Sequence, residues 1–508
     1  MPRATTPSLA GGEVSPAIGA RVDIDKYKSS VKIAENVFVQ VHGGLSSRPG
    51  FKFVAEVKNS ALSTRIIPFE FNTEQTYILE FGNLYMRVHK DGEQVLDSAN
   101  TGTISAATKA NPCVVTDTGH PYLNGEEVYI SGVAGMTELN GRNFKVASKA
   151  TNTYALTDLA GTNINSTAYT TLSGSGTSSQ VYEIVTPYTT AQLFDVGFVQ
   201  SADVMTLCHT SHVPKELTRT DHDTWTLTTI SFAPEQAAAT SPTAVPRTAA
   251  STTVDYAITA VNLETLEESL ILEKNITNSN ATIDNDVGWS AAAGAGSYNI
   301  YRKENGIYGF IGRAEGTTFF DENIDPDTAD TPPKARNPFD ATSDYPAVVG
   351  YFQQRRIFGR SVNNKQRLWF TQTANHYNLS VSSPTKNDDA ITATIASLKV
   401  NEIRHMIPFE DMIVLTSGGE WRVSGTDGVI TPSTIQLKPQ TYYGSTILPP
   451  IVAGDMIVYM QPGQIVRDIS YEFTSDIYKG NDISILARHM FDFNTMVDWT
   501  YAASPHSM

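Results

Sequence analysis

The chain has 508 residues, 40% of them hydrophobic, and 37 Lys plus Arg against 53 Asp plus Glu give a formal charge of −16. That length predicts roughly two to four domains, and the acidic balance argues against a general nucleic-acid clamp, because phosphate binding needs concentrated positive charge. Two distant cysteines, Cys113 and Cys208, cannot build a disulfide framework or a cysteine zinc site, and they suit assembly in a reducing cytoplasm.

No apolar run reaches the length of about eighteen residues that a membrane span needs, and MPRATTPSLAGG at the N-terminus lacks the apolar segment of a secretory signal. In chain order, Asp25 to Val37 (DKYKSSVKIAENV) predicts one short helix: Asp25 can cap, and Tyr27, Val31 and Ala34 fall at helical spacing. Beyond it the texture is all-β. Alternating runs such as Thr76 to Val88 close on turn pairs such as Asp91-Gly92. From Lys109 to about Gln180, short strands and glycine turns predict a separate small β-barrel or sandwich. The Pro/Ala/Ser/Thr stretch APEQAAATSPTAVPRTAAS and the later DPDTADTPPKARNPF enclose a further set of alternating strands, with Trp289, Tyr298 and Tyr301 as core candidates. A sandwich of about 100 residues fits there.

The remaining text repeats itself. Ile67-Pro68-Phe69-Glu70 answers Ile407-Pro408-Phe409-Glu410, followed by an apolar strand (YILEF or MIVLT) and a glycine turn at Gly82 or Gly418. Then come an aromatic, Tyr85 or Trp421, an Arg-Val pair, Arg87-Val88 or Arg422-Val423, and a closing Asp-Gly. Such phrases are hairpins. A second phrase opens at Val196 (VGFVQ) and again at Val349 (VGYFQQ), each strand ending near a glutamine, Gln200 or Gln353, and GDMIVYMQPGQIVRDISYEF from Gly454 keeps the strand-turn-strand form. Four-stranded units at roughly 40 to 50 residues are the pattern of a β-propeller. The glycines of TSGGEW turn a hairpin; a phosphate cradle leads into a helix and usually supplies a Lys.

Several clusters invite a chemical reading, and each has a structural one that outweighs it. Cys208, His209 and His212 in LCHTSH lack a third ligand at fixed spacing and read as a blade loop. Asp221, His222 and Asp223 read as a hairpin turn before Trp225. Asp388 and Asp389, taken as strand neighbours, point to opposite faces and make no glycosidase pair. Arg355, Arg356, Arg360, Lys365 and Arg367, interleaved with Phe358 and Trp369, read as an intersubunit or solvated face in preference to a nucleic-acid contact. No catalytic, cofactor-binding or metal-binding residue is assigned, no cofactor is expected, and the chain is expected not to be an enzyme.

LAGGEVSPAIGARVDIDKYKSSVKIAENV, with the turn Gly43, Gly44, Arg48, Pro49, Gly50, resembles the N-terminus of the bacteriophage tail nozzle, or tail tubular protein B-like, family of short-tailed phages. The likeness continues through DYPAVVGYFQQRRIF, ITATIASLKVNEIRHMIPFEDMIVLTSGGEWRV and PSTIQLKPQTYYGS. The first insert resembles the first catalytic cysteine half-domain (FCCH) barrel of ubiquitin-activating enzymes at Gly132, Val133, Gly135, Met136, Leu139, Asn140 and Phe144; lone Cys113 carries no ubiquitin chemistry with it. The second is similar to a fibronectin type III domain.

The expected fold class is therefore all-β: an (incomplete) β-propeller platform with two inserted small β domains, a β-barrel and a fibronectin III-like sandwich, plus a short N-terminal helix. The expected division is an arm, short helix and first blade in 1–108, the barrel in 109–182, a blade in 183–232, the sandwich in 233–338, and blades in 339–508 that look cut short at VDWTYAASPHSM. The resemblance implies a structural virion protein of the tail, assembled in the bacterial host cytoplasm. It would be one subunit of a homo-hexameric nozzle ring that docks on the head-tail adaptor, meets tail fibres or tail tip proteins, and passes viral DNA without sequence-specific binding. A host-surface adhesin is the alternative, and a glycan-cleaving propeller enzyme a more distant one.

Overall fold

The chain is all-β, with 46% of it in strands and 5% in helices. The computed structural model describes residues 8–501 except 41, 73–74, 248–249, 280–282, 398–400, 475 and 492–494. The residues on which the expectation of a shortened C-terminus turns lie partly outside the described residues. The N-terminal helix is one turn, Asp25–Lys28, rather than a helix reaching Ala34. The hydroxyls of Ser29 and Ser30 donate back to the carbonyls of Lys26 and Tyr27, which ends the helix, and Ser30–Val31 then pairs in parallel with Gly12–Glu13.

Five antiparallel sheets follow from the repeated phrases, four of them four-stranded and the first five-stranded. The first contains Arg65–Glu70, Thr76–Gly82 and Tyr85–Lys90, with Glu183–Val185 and the short Glu93–Gln94 both paired to Tyr85–Lys90. The second runs from Gly197–Ser201 to Thr224–Thr229, and the third from Val348–Phe352 to Ile391–Thr394. The fourth runs from Ile403–Pro408 to Ile435–Thr441, and the fifth from Ile451–Ala453 to Ile477–Lys479.

Period-two alternation gives each sheet two faces, and consecutive sheets bury them against each other. Phe69, Leu79 and Val88 of the first sheet share a core with Met205, Leu217 and Trp225 of the second. Cys208 and Ile230 meet Phe358 and Trp369 between the second and third, and Ile357 and Phe370 meet Val414 and Trp421 between the third and fourth. Ile413 and Leu415 then pack on Ile457 and Tyr459 of the fifth. Sheets stacked in series through both faces are propeller blades. At the inner ends the backbones nearly touch: a Cβ on Gly197 would stand 2.3 Å from the carbonyl oxygen of Ala347, so only glycine fits where the second and third blades meet.

The barrel is a closed six-stranded sheet spliced into the first blade between its strands Glu93–Gln94 and Glu183–Val185. Its first strand is Leu96–Ala107, so it begins upstream of the expected Lys109. That strand is small and polar, with Ile104 alone fully buried, and its text does not differ from the blade before it. Val133, Met136, Leu139 and Phe144 form the core with Cys113, and the Asn140 amide bonds both the N–H and the carbonyl of Val133 at 2.8 Å.

The second insert is a sandwich between the second and third blades. Thr240–Pro246, Asn285–Ser290 and Thr318–Asp321 face four strands, Ala250–Asn262, Leu272–Ser279, Ala295–Glu304 and Ile307–Ala314. Trp289 and Tyr298 meet in its core with ring centroids 5.1 Å apart. Tyr301 is buried outside that core, donating its hydroxyl to Glu268 at 2.6 Å.

Candidate functional site

The five blades border a half-open cavity of about 230 Å³. Its walls come from strand starts: Arg65 from the first blade, Gly197 and Phe198 from the second, Val348 and Val349 from the third, Arg404 to Pro408 from the fourth and Val452 from the fifth. The two copies of the Ile-Pro-Phe-Glu phrase each place an arginine here. Arg65 stands three residues before its proline and Arg404 four before its own, and a β-bulge between Ile403 and His405 absorbs the extra residue. Arg360, just past the strand Arg355–Gly359, is a third guanidinium in the wall.

Arg65 is buried and donates Nη1 to the carbonyls of Leu193 and Val196, both at 2.8 Å. Burial lowers its pKa, against the pull of Asp498 and Asp195. Glu402 is shared, 3.2 Å from Arg360 and 2.9 Å from Arg404. His405 bonds the Thr446 carbonyl at 3.1 Å, and its pKa is pushed down to about 4, by burial first and then by Arg360, Arg404 and Arg65 against that bond. The imidazole is therefore neutral at physiological pH. The hub thus concentrates cationic donors in a chain whose net charge is acidic.

Of the three hub arginines only Arg360 was singled out from the sequence, as part of the basic run read as an intersubunit or solvated face, although the repeated arginine before each proline marks the other two. The other residues that were singled out fall elsewhere. His209 and His212 face each other across a hairpin, rings 5.4 Å apart, while Cys208 is buried in the neighbouring core, and among the described residues no three potential ligands gather to hold a metal. His222 lies at the expected hairpin turn, its ring between the Tyr77 hydroxyl at 2.6 Å and the Lys90 ammonium at 3.2 Å. Asp221 accepts from the His222 N–H and Asp223 from the Ser98 N–H, so neither orients the ring.

Asp388 and Asp389 are in a turn and not on a strand; buried Asp389 accepts from Ser382 and from the Lys386 N–H. The arginine run departs furthest from expectation. Arg355 and Arg356 are buried, not solvated: Arg355 donates to the carbonyls of Thr371, Asp389 and Asn387. Arg356 pairs with Glu216 at 2.7 Å beneath the Tyr377 ring. Backbone acceptors and aromatic faces make that burial tolerable. Lys365 stays exposed and Arg367 half-buried.

No protein-family model and no curated protein matches the chain. Among solved structures, one described as phage phi92 endosialidase matches 79% of the chain at 10% identity and a TM-score of 0.19. The chain spans about half of that structure's own, 53%. That description names an enzyme, so the expectation that this chain is not an enzyme is corrected and withdrawn, while a TM-score this low carries no activity across to it.

Proposed function

We propose that the chain is a structural virion protein, a subunit of the phage tail nozzle ring that forms the DNA exit channel and docks on the head-tail adaptor. The observation that carries this reading is a multi-part platform: five blades pack face to face in series through four shared cores, and both inserts are fastened to them through buried charged side chains. A ring part transmits force through shape, and serial packing of this kind suits it. The resemblance of the propeller portion to the nozzle family supports a place in the tail. Heterologous, head-to-tail contacts close such subunits into a ring. The net charge of −16 favours a lumen that repels the DNA backbone and lets it slide. No helix among the described residues is long and apolar enough to cross a membrane.

Electron microscopy of the purified chain, and of virions labelled with an antibody against it, tests the reading. Six-fold rings and label between adaptor and tail tip are expected. Monomers that bind intact host cells, with label at the fibre tips, would instead establish the adhesin.

A further inference from the structure

We propose that the blade hub is a binding site for a phosphate-type oxyanion. This inference stands apart from the nozzle assignment and rests on the cavity alone. Arg65, Arg360 and Arg404 line it or its rim, and the Nε–H of each is buried without a hydrogen-bond partner. Arg65 is 5% exposed, yet its two bonds use one nitrogen, Nη1. Buried donors are rarely left unpaired, and three in one cavity mark a place for an acceptor.

The charge of the walls selects an anion. Glu402 is the acid in ion-pair contact with Arg360 and Arg404. Asp195 lies in the wall and Asp498 approaches Arg65, neither within ion-pair distance of it among the described residues. The one carboxylate in contact therefore serves two of the three guanidinium groups and leaves Arg65 without an ion-pair partner among the described residues. The volume, about 230 Å³, exceeds the roughly 30 Å³ share of a single water and falls below the usual range of about 300–1,000 Å³ for drug-sized ligands. It fits one small oxyanion with some of its hydration. Three unpaired donors brought to one cavity by separate blades match a tetrahedral group with several acceptor oxygens better than a planar carboxylate, which a single arginine fork already satisfies.

The test is thermal unfolding of the full chain in rising inorganic phosphate, against sodium chloride at matched ionic strength and against acetate. Wild type is expected to gain stability saturably in phosphate and less in acetate. Arg404→Gln and Arg360→Gln should each raise the apparent dissociation constant by about tenfold or more, the loss of one charge-assisted bond. Arg247→Gln, at an exposed arginine of the sandwich paired with Asp286, should not. Circular dichroism establishes that each variant is folded. A phosphate response no larger than that in chloride, or one unchanged in both hub variants, would show a merely hydrated cavity; equal response to acetate would overturn the tetrahedral preference.

Discussion

The barrel and the sandwich are both foreign to the blades, and they are fastened in opposite ways. The barrel is tethered by two strand continuations of a single residue each, Val95 and Tyr182, which bond each other at 3.0 Å. Its junction is an ion cluster. Buried Arg87 donates Nη2 to Glu127 of the barrel at 2.7 Å and Nε to Glu183 at 3.0 Å, while Glu127 also accepts from Asn143. The sandwich hangs on long connections, 230–239 and 322–347, and its junction is an anion among neutral donors. The Glu267 carboxylate accepts from the amides of Asn375 and Asn378 in the third blade and from the N–H groups of Glu235 and Gln236. A charge matched by a countercharge fails badly when one member is removed; a charge held by dipoles fails by degrees.

The largest effect is therefore expected at the barrel. Arg87→Ala strands Glu127 in a site where its side chain is 2% exposed, at a cost of about 3–5 kcal/mol. Denaturant unfolding and hydrogen exchange of the barrel strands check it. Replacing the set together, Arg87→Met with Glu127→Leu and Glu183→Leu, should recover most of that loss, because no uncompensated charge remains buried. If the triple variant is as unstable as the single one, the ion cluster is not what fastens the barrel.

At the sandwich, Glu267→Ala removes the acceptor of four donors that solvent can partly replace, and a cost of about 2–3 kcal/mol follows. The loss should appear as undocking. Protease cleavage within 322–347 should quicken while Trp289 fluorescence still reports a folded sandwich core. Simultaneous loss of both signals would mean that the sandwich depends on the platform to fold.

The blades were legible in the sequence because alternation and a doubled Ile-Pro-Phe-Glu phrase are local signals: Ile67 and Ile407 are buried, and Pro68 and Pro408 are exposed on equivalent inner strands. Gln200 and Gln353, noted as strand ends, bond the backbones of Glu70 and of Gly428 and Ile430 in neighbouring blades. The hub was not legible, because Arg65, Arg360 and Arg404 come from three blades, and nothing in linear order says that strand starts converge. The buried arginines misled for a related reason. Arg355-Arg356 beside an acidic composition suggests a surface, yet their acceptors are carbonyls and a glutamate distant in sequence. The barrel boundary was misplaced because a barrel strand that grows straight out of a blade carries no linker to announce it.

The smallest expected effect sharpens the comparison through pH. Glu235, at the sandwich junction, has its carboxyl held above the ordinary value of 4.5, by burial first and then by repulsion from Glu267, with Arg356 opposing. Asp330, in the exit connection, is likewise raised, by burial and then by Glu268. A carboxyl that binds its proton more tightly when folded contributes stability that is full below its unfolded pKa and lost as pH rises through the folded one. Docking of the sandwich should therefore weaken as pH climbs from the ordinary carboxylate range toward neutrality. Glu235→Gln with Asp330→Asn, both permanently neutral, should flatten the pH dependence of cleavage within 322–347. The barrel, whose clamp is a matched ion cluster, should show no such loss across the same interval by hydrogen exchange. An undiminished slope in the double variant would assign the pH response to other groups and leave the two junctions alike in this respect.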